Sequence, residues 1–201
     1  GGLGLLSSES ESGKTEGLGL YIHTPFCLKK CDYCDFNSYC MNSFDESEKT
    51  VDRYVEAVLQ EARIQSEAVR ELGVRVTTVY LGGGTPTCLP EKSLESLLTE
   101  VFQVFPMTHN AEITVESNPG TVTLRKLRCL KDIGVTRLSI GVQSLNGSLL
   151  RTLGRLHTAS DSVSAFHLAR EAGFDNINVD LIYAIPGQTM KDWKETLDEA
   201  L

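Results

Sequence analysis

Residues Tyr21 to Phe36 read YIHTPFCLKKCDYCDF, and three of the chain's six cysteines fall between Cys27 and Cys34, spaced C-x3-C-x2-C. Three thiols so close together pose a specific chemical problem. A disulfide framework calls for an even number, and a closed four-coordinate structural metal site calls for a fourth ligand. Two readings fit the spacing. A structural zinc could borrow His23 or Cys40 as its fourth donor. Alternatively, three thiolates could hold three irons of a cubane cluster and leave the fourth iron open, as a catalytic zinc keeps an open position. Which reading holds depends on what the rest of the chain brings to the same place.

Outward from this stretch the chain alternates apolar strands with amphipathic helices. The strands are expected near 18–25, 75–82, 111–116, 137–143 and 176–185, and the helices near 50–72, 91–105, 123–133, 160–172 and 189–201. In the first helix Val51, Tyr54, Val55, Val58, Leu59 and Ala62 recur at helical spacing. Three junctions, RELGVR, LKDIGVTR and AREAGFDN, set Gly73, Gly134 and Gly173 just after a helix and just before a strand. That is where a left-handed cap residue belongs. Repeated βα units imply a parallel sheet, and five units fall short of the eight of a closed (β/α) barrel. The expectation is therefore α/β, a partial (β/α) barrel truncated after about five βα units. Because the chain ends inside an amphipathic helix, the domain is expected to continue beyond Leu201.

Each strand ends in an unusual peptide: the cysteines, then GGGTP (Gly82 to Pro86), ESNPG (Glu116 to Gly120), GVQS (Gly141 to Ser144) and NVDLIYAIPGQ (Asn178 to Gln188). In βα folds the C-terminal strand ends carry the active site, so five such peptides mark one rim. Strand alternation adds to this. Thr114 and Glu116 share the face opposite Ile113 and Val115; Ser139, Gly141 and Gln143 oppose Leu138, Ile140 and Val142; Asn178 and Asp180 share a face. A complete barrel fills its interior with branched apolar side chains. One polar face on each strand points instead to a polar ligand in the lumen, with Glu116 and Asp180 expected to meet donors. Zinc alone would leave the other four rim peptides without a role.

Composition excludes other classes. With 27 acidic and 19 basic residues the net charge is −8, against extended nucleic-acid backbone binding, which relies on clustered Lys and Arg. No apolar run approaches the roughly 20 residues of a membrane span, and no basic-then-apolar leader opens the sequence. Unevenly spaced cysteines, with Cys40, Cys88 and Cys129 standing singly, fit a reducing compartment; of these Cys40 is the best placed as a spare thiol near the cluster. Residues 1–17 read as a disordered lead-in before a single domain over 18–201. The GKT at Gly13 to Thr15 is not a phosphate loop, since position 8 is Ser where that motif needs Gly.

Taken together, YIHTPFC with its C-x3-C-x2-C, GGGTP, ESNP, GVTRLSIGVQS and NVDLIYAIPGQ resemble the radical S-adenosylmethionine (SAM) enzymes of the oxygen-independent coproporphyrinogen III oxidase group. The oxidase carries a further cysteine two residues beyond the third, where this chain has Phe36; CDYCDFNS and GRLH (Gly154 to His157) look like the haem-chaperone branch of that group, HemW. The resemblance implies that Cys27, Cys31 and Cys34 ligate a [4Fe–4S] cluster whose open iron binds the amino and carboxylate groups of SAM. It implies that Tyr21 and Tyr33 contact SAM, that Gly83, Gly84 and Thr85 meet its methionine end through the backbone, and that Glu116, Gln143, Arg155 and Asp180 are polar contacts to it. It implies haem or another tetrapyrrole as ligand, a haem-acceptor protein and an electron donor as partners, and a cytoplasmic or organellar compartment, mitochondrion or plastid. Two functions remain open on these residues: delivery of haem to acceptors, or oxidative decarboxylation of coproporphyrinogen III by radical hydrogen abstraction. Arg137 is read as a structural pairing residue, and His23 as either a support for the site or a core residue.

Overall fold

The computed structural model describes residues 3–9 and 15–201. Strands β1 (Leu3–Glu9), β2 (Thr15–Thr24), β3 (Phe26–Cys27) and β4 (Tyr39–Cys40) precede helix α1 (Ser47–Glu71). There follow β5 (Val76–Gly83), α2 (Glu91–Val104), β6 (Met107–Ser117), α3 (Leu124–Ile133), β7 (Arg137–Gln143), α4 (Gly147–Thr152), α5 (Ala159–Glu171), β8 (Asn176–Leu181) and α6 (Met190–Ala200). The main sheet runs β1-β2-β5-β6-β7-β8. From β2 to β8 every pairing is parallel. Sheet order follows chain order with no reversal, which distinguishes a curling barrel from a doubly wound sheet, whose strand order switches direction midway. Five βα units thus make the expected partial barrel.

Packing explains why the pattern was readable. Leu20 and Ile22 of β2, Val79 and Leu81 of β5, Val115 of β6 and Leu138 and Ile140 of β7 are buried on the outer face of the sheet. They meet the apolar stripes of α1 (Val51, Val58, Ala62, Val69), α2 (Leu94, Leu97, Leu98, Val101) and α3 (Leu127, Leu130) in one core. Each Leu or Ile so buried contributes about 1.5–3 kcal/mol of transfer free energy, so this face, not the polar inner one, holds the sheet. The three helix-to-strand glycines have positive φ: Gly73 67°, Gly134 110° and Gly173 92°. At the second, Gly134 N–H donates to Lys131 O and Val135 N–H to Leu130 O, closing the last carbonyls of α3.

Three features differ from the sequence expectation. The lead-in over 1–17 is not disordered throughout: Leu3–Glu9 pairs antiparallel with β2, Leu3 facing Ile22 and Ser7 facing Leu18. The unpaired groups along the edge of β2 recruit it, as open edges do; residues 1–2 and 10–14, which include Gly13 and Lys14, lie outside the described residues. The last strand stops at Leu181, short of 185, because Ala184 takes φ 58° and turns the chain. Ile182 and Ile185 leave the sheet for a small cluster with Leu149 and Leu153 of the short helix α4 and its end, an element the sequence pattern did not show.

Candidate functional site

The GGGTP turn and the cysteine segment are built against each other. Gly84 N–H donates to Thr24 O at 2.7 Å and Thr85 N–H to Phe26 O at 2.7 Å, continuing the β2–β5 pairing past the strand ends. Thr85 Oγ1–H donates to Cys27 Sγ at 3.7 Å. Cys34 N–H turns back onto Cys31 O at 3.1 Å, and Asp32 N–H donates to Leu153 O at 3.2 Å, tying the loop to the end of α4. All six cysteines are free thiols. Burial pushes the Cys27 thiol up, against opposing hydrogen bonds from Thr85 and Ser38, so metal binding there must displace a firmly held proton.

These loops enclose a cavity of 340 Å3 at the C-terminal rim of the sheet. Eleven of the twelve residues expected at the site line it: the three cysteines, Tyr33, Gly83, Gly84, Thr85, Glu116, Gln143, Arg155 and Asp180. Tyr21 does not. Its ring stacks on Tyr80 at 6.2 Å, and its hydroxyl donates to His23 Nδ1 at 3.0 Å. Tyr80, absent from the expected set, takes the wall position instead.

The polar groups meet partners as their chemistry requires. Glu116 accepts from Tyr80 OH at 2.7 Å and from Gly83 N–H at 2.9 Å. Burial nevertheless holds its pKa above the ordinary carboxylate value. Asp180 accepts from Ser139 Oγ at 3.0 Å and Asn178 Nδ2 at 2.7 Å. It is exposed, so it does not bear the burial cost expected of it. Arg155 NH2 donates to Gly141 O at 2.6 Å, while NH1 lies 3.6 Å from Cys31 Sγ and 3.4 Å from Tyr33 OH. Its Nε is buried with no partner among the described residues. Gln143 sits at φ 67°, a conformation that costs a non-glycine residue about 1 kcal/mol or more and concentrates at functional sites.

Other residues resolve as supports. His23 Nε2–H donates to Asn37 O at 2.8 Å, so Nδ1 accepts from Tyr21, and the ring joins β2 to the far end of the cysteine segment. Arg137 donates to Thr114 Oγ1 at 3.4 Å, a structural pairing as expected. Cys40 S–H donates to Leu28 O at 2.9 Å. Cys88, one of the three singly placed cysteines, shares the Thr85 hydroxyl with Cys27, and burial lifts its thiol to about 11. With His23 and Cys40 both committed, the donors a structural zinc would borrow are engaged elsewhere. No three His, Cys, Asp or Glu side chains among the described residues converge on a single ion. Thiolates that each hold a different iron of a cluster need not converge.

His157 is buried, 4% exposed, and its Nε2–H donates to Val142 O at 3.1 Å. Burial, then the nearby Arg155 cation, lowers its pKa from 6.5 to about 4. Between those values the unfolded chain holds a proton that the folded chain refuses. The stability this group contributes is thus full above pH 6.5 and lost as the pH falls towards 4. The loss should amount to no more than about 3 kcal/mol. Urea midpoints measured from pH 7 to pH 4 should fall less steeply in His157→Gln than in the native chain; identical slopes would refute the assignment.

The comparisons agree with this geometry. Residues 21–200 match the model of the Radical SAM superfamily. The chain belongs to that superfamily. Membership implies an iron–sulfur cluster and SAM. This superfamily member is 40% identical over 183 residues to the heme chaperone HemW of Bacillus subtilis, an alignment covering 90% of this chain and 46% of the relative. It is 34% identical to the radical S-adenosyl methionine domain-containing protein 1, mitochondrial, of Danio rerio, covering 90% of the chain and 39% of the relative. Among solved structures it superposes on coproporphyrinogen III oxidase (HemN) from Escherichia coli with a TM-score of 0.79 at 32% identity, covering 90% of this chain and 40% of that one. The chain spans about half the length of the curated relatives it matches. None of the described helices is long and apolar enough to cross a membrane.

Proposed function

We propose that this chain carries the cluster- and SAM-binding part of a haem chaperone of the HemW type, which binds haem and delivers it to acceptor proteins. What supports the reading most is one cavity that gathers three free thiols, an arginine and two carboxylates, in a chain 40% identical to a HemW. The residues fit the cofactors. Cys27, Cys31 and Cys34 offer the three-thiolate donor set, and the partnerless Nε of Arg155 beside Cys31 is a buried donor still lacking an acceptor.

The cluster supplies one-electron chemistry at the sulfonium of SAM when both are bound. The protein's own part is binding and orientation. Glu116 and Asp180 would offer carboxylates to the ammonium and sulfonium charge of SAM, and Arg155 would offer its guanidinium to the carboxylate. Gly83 and Gly84 let the backbone approach closely, while Phe36 and Tyr33 stand at the opening with 58% and 43% of their surface exposed. The hydrogen bonds from Tyr80 OH and Gly83 N–H favour the ionised form of Glu116 and offset part of the larger upward pull of burial. Haem, acceptor protein and electron donor are the partners of this reading, in a cytoplasmic or organellar compartment.

Phe36 separates this reading from the oxidase. The position that holds a further cysteine in the oxidase carries a side chain with no metal-binding capacity. The test is anaerobic incubation of the reconstituted protein, at the full length its relatives have, with reductant, SAM and either haem or coproporphyrinogen III. One haem bound per chain and passed to an apo-acceptor is the expected result. Conversion of coproporphyrinogen III to protoporphyrinogen IX would overturn it in favour of the oxidase.

A further inference from the structure

The GRLH peptide contributes Arg155 to the cavity, but that leaves His157 without a role. The pairing of β7 with β8 supplies one. Arg137 faces Asn176 and Ile140 faces Val179, yet Gln143 faces Leu181, so β7 uses one residue more than β8 between the last two pairs. This is a β-bulge. On the other side β7 pairs with β6 only as far as Ile140. The carbonyls of Gly141 and Val142 therefore fall in a stretch that neither neighbouring strand pairs. Val142 O accepts Ser144 N–H at 2.8 Å within its own turn, which leaves its second lone pair and the Gly141 carbonyl open to side-chain donors. GRLH fastens both from outside the strand: Arg155 donates to Gly141 O at 2.6 Å, and His157 Nε2–H gives Val142 O a second hydrogen bond at 3.1 Å, the one that ties the bulge to another segment.

Immediately after the bulge comes Gln143, held at φ 67° with its side chain on the cavity and its carbonyl accepting Ile182 N–H at 2.9 Å. A residue in that conformation persists only when its surroundings over-determine it. The imidazole suits the task because its second nitrogen, Nδ1, is buried and meets no partner among the described residues. Its one hydrogen bond is to the bulge.

We propose that His157 is a positioning residue: by holding the β7 bulge it keeps Gln143 turned into the cavity, and so sets the affinity for SAM without touching it. The inference deepens the reading of the cavity as a SAM site and rests on it. It goes beyond a packing role, since the hydrogen bond and not the ring volume does the positioning.

Two substitutions separate those roles. His157→Phe keeps a ring and loses the donor, whereas His157→Gln loses the ring and keeps an N–H. SAM binding to the anaerobically reconstituted protein is measured by calorimetry, alongside amide hydrogen exchange at Ile182 in the metal-free protein. His157→Phe should bind SAM about tenfold more weakly, the usual scale for one lost buried hydrogen bond, with faster exchange at Ile182. His157→Gln should recover both to within about twofold of the native chain. Native affinity in His157→Phe, or equal losses in the two variants, would overturn the proposal while leaving the site intact. If the native protein binds no SAM, the reading of the site fails. Unchanged exchange at Ile182 in His157→Phe would separately refute the positioning role.

Discussion

Replacing Cys34 by Ala should abolish the broad visible absorption that anaerobic reconstitution with iron and sulfide confers on the native chain. Two thiolates remain after the substitution, and nothing nearby replaces the third. Cys40 is turned away, its S–H donating to Leu28 O. Cys88 also lies near Cys27, but burial holds its thiol at about 11, so the thiolate needed for iron is scarce at neutral pH. Cys31 and Cys34 close one turn of the loop, through Cys34 N–H to Cys31 O, and both line the cavity. Losing Cys34 thus removes one wall of the donor set while leaving the fold's core, which lies on the other face of the sheet, untouched. Cys129→Ala is the control, because that thiol lies in the cleft between α2 and α3 beside Glu91 and Glu95. It should retain full iron content and absorption. Zinc as the sole bound metal in the native chain, or an undiminished spectrum in Cys34→Ala, would overturn the cluster assignment.

The parts of this fold that were legible in the sequence share a physical cause. The outer-face residues Leu81, Val115 and Leu138 are wholly buried, and period-two alternation against the polar Tyr80, Glu116 and Ser139 follows directly from that burial. The junction glycines were legible because a left-handed cap excludes most other residues. What stayed hidden was tertiary in origin. Leu3–Glu9 becomes a strand only because β2 offers an edge. The run Leu181–Ile185 reads as continuous strand, and the turn at Ala184 comes from packing of Ile182 and Ile185 onto α4. Tyr80 was passed over inside an apolar run, although its place two residues before Gly82 puts it on the inner face and could have shown it. Tyr21 shares the inner face but sits behind Tyr80, a depth that periodicity along one strand cannot tell. The extra residue of β7, onto which His157 fastens, is a property of two strands together and of neither alone.

Gly84→Ala should lower the unfolding midpoint by about 10 °C and prevent cluster assembly, although it adds a single methyl group. A Cβ at Gly84 would lie 2.6 Å from Phe26 O and 2.9 Å from Thr24 O. Both are backbone atoms of the segment leading into Cys27, so neither can swing aside as a side chain would. The same two carbonyls accept the hydrogen bonds of Thr85 and Gly84 N–H, so relieving the overlap breaks the contacts that dock the GGGTP turn on the cysteine segment. Overpacking of this kind costs about 1–3 kcal/mol, and the strained hydrogen bonds add to it. For a chain of this size each kcal/mol moves the midpoint by about 2–4 °C. Gly120→Ala separates this contact from the general effect of adding a Cβ to a rim loop, since nothing lies within 4 Å of that position. It should change stability by less than about 0.5 kcal/mol. Equal midpoints for the two variants would show that the turn yields freely, and the rim would then lack the rigidity that backbone recognition of a ligand by Gly83, Gly84 and Thr85 requires. A large loss confined to Gly84→Ala would show that the turn and the cysteine segment behave as one body, so that cluster and SAM are held against the same rigid support.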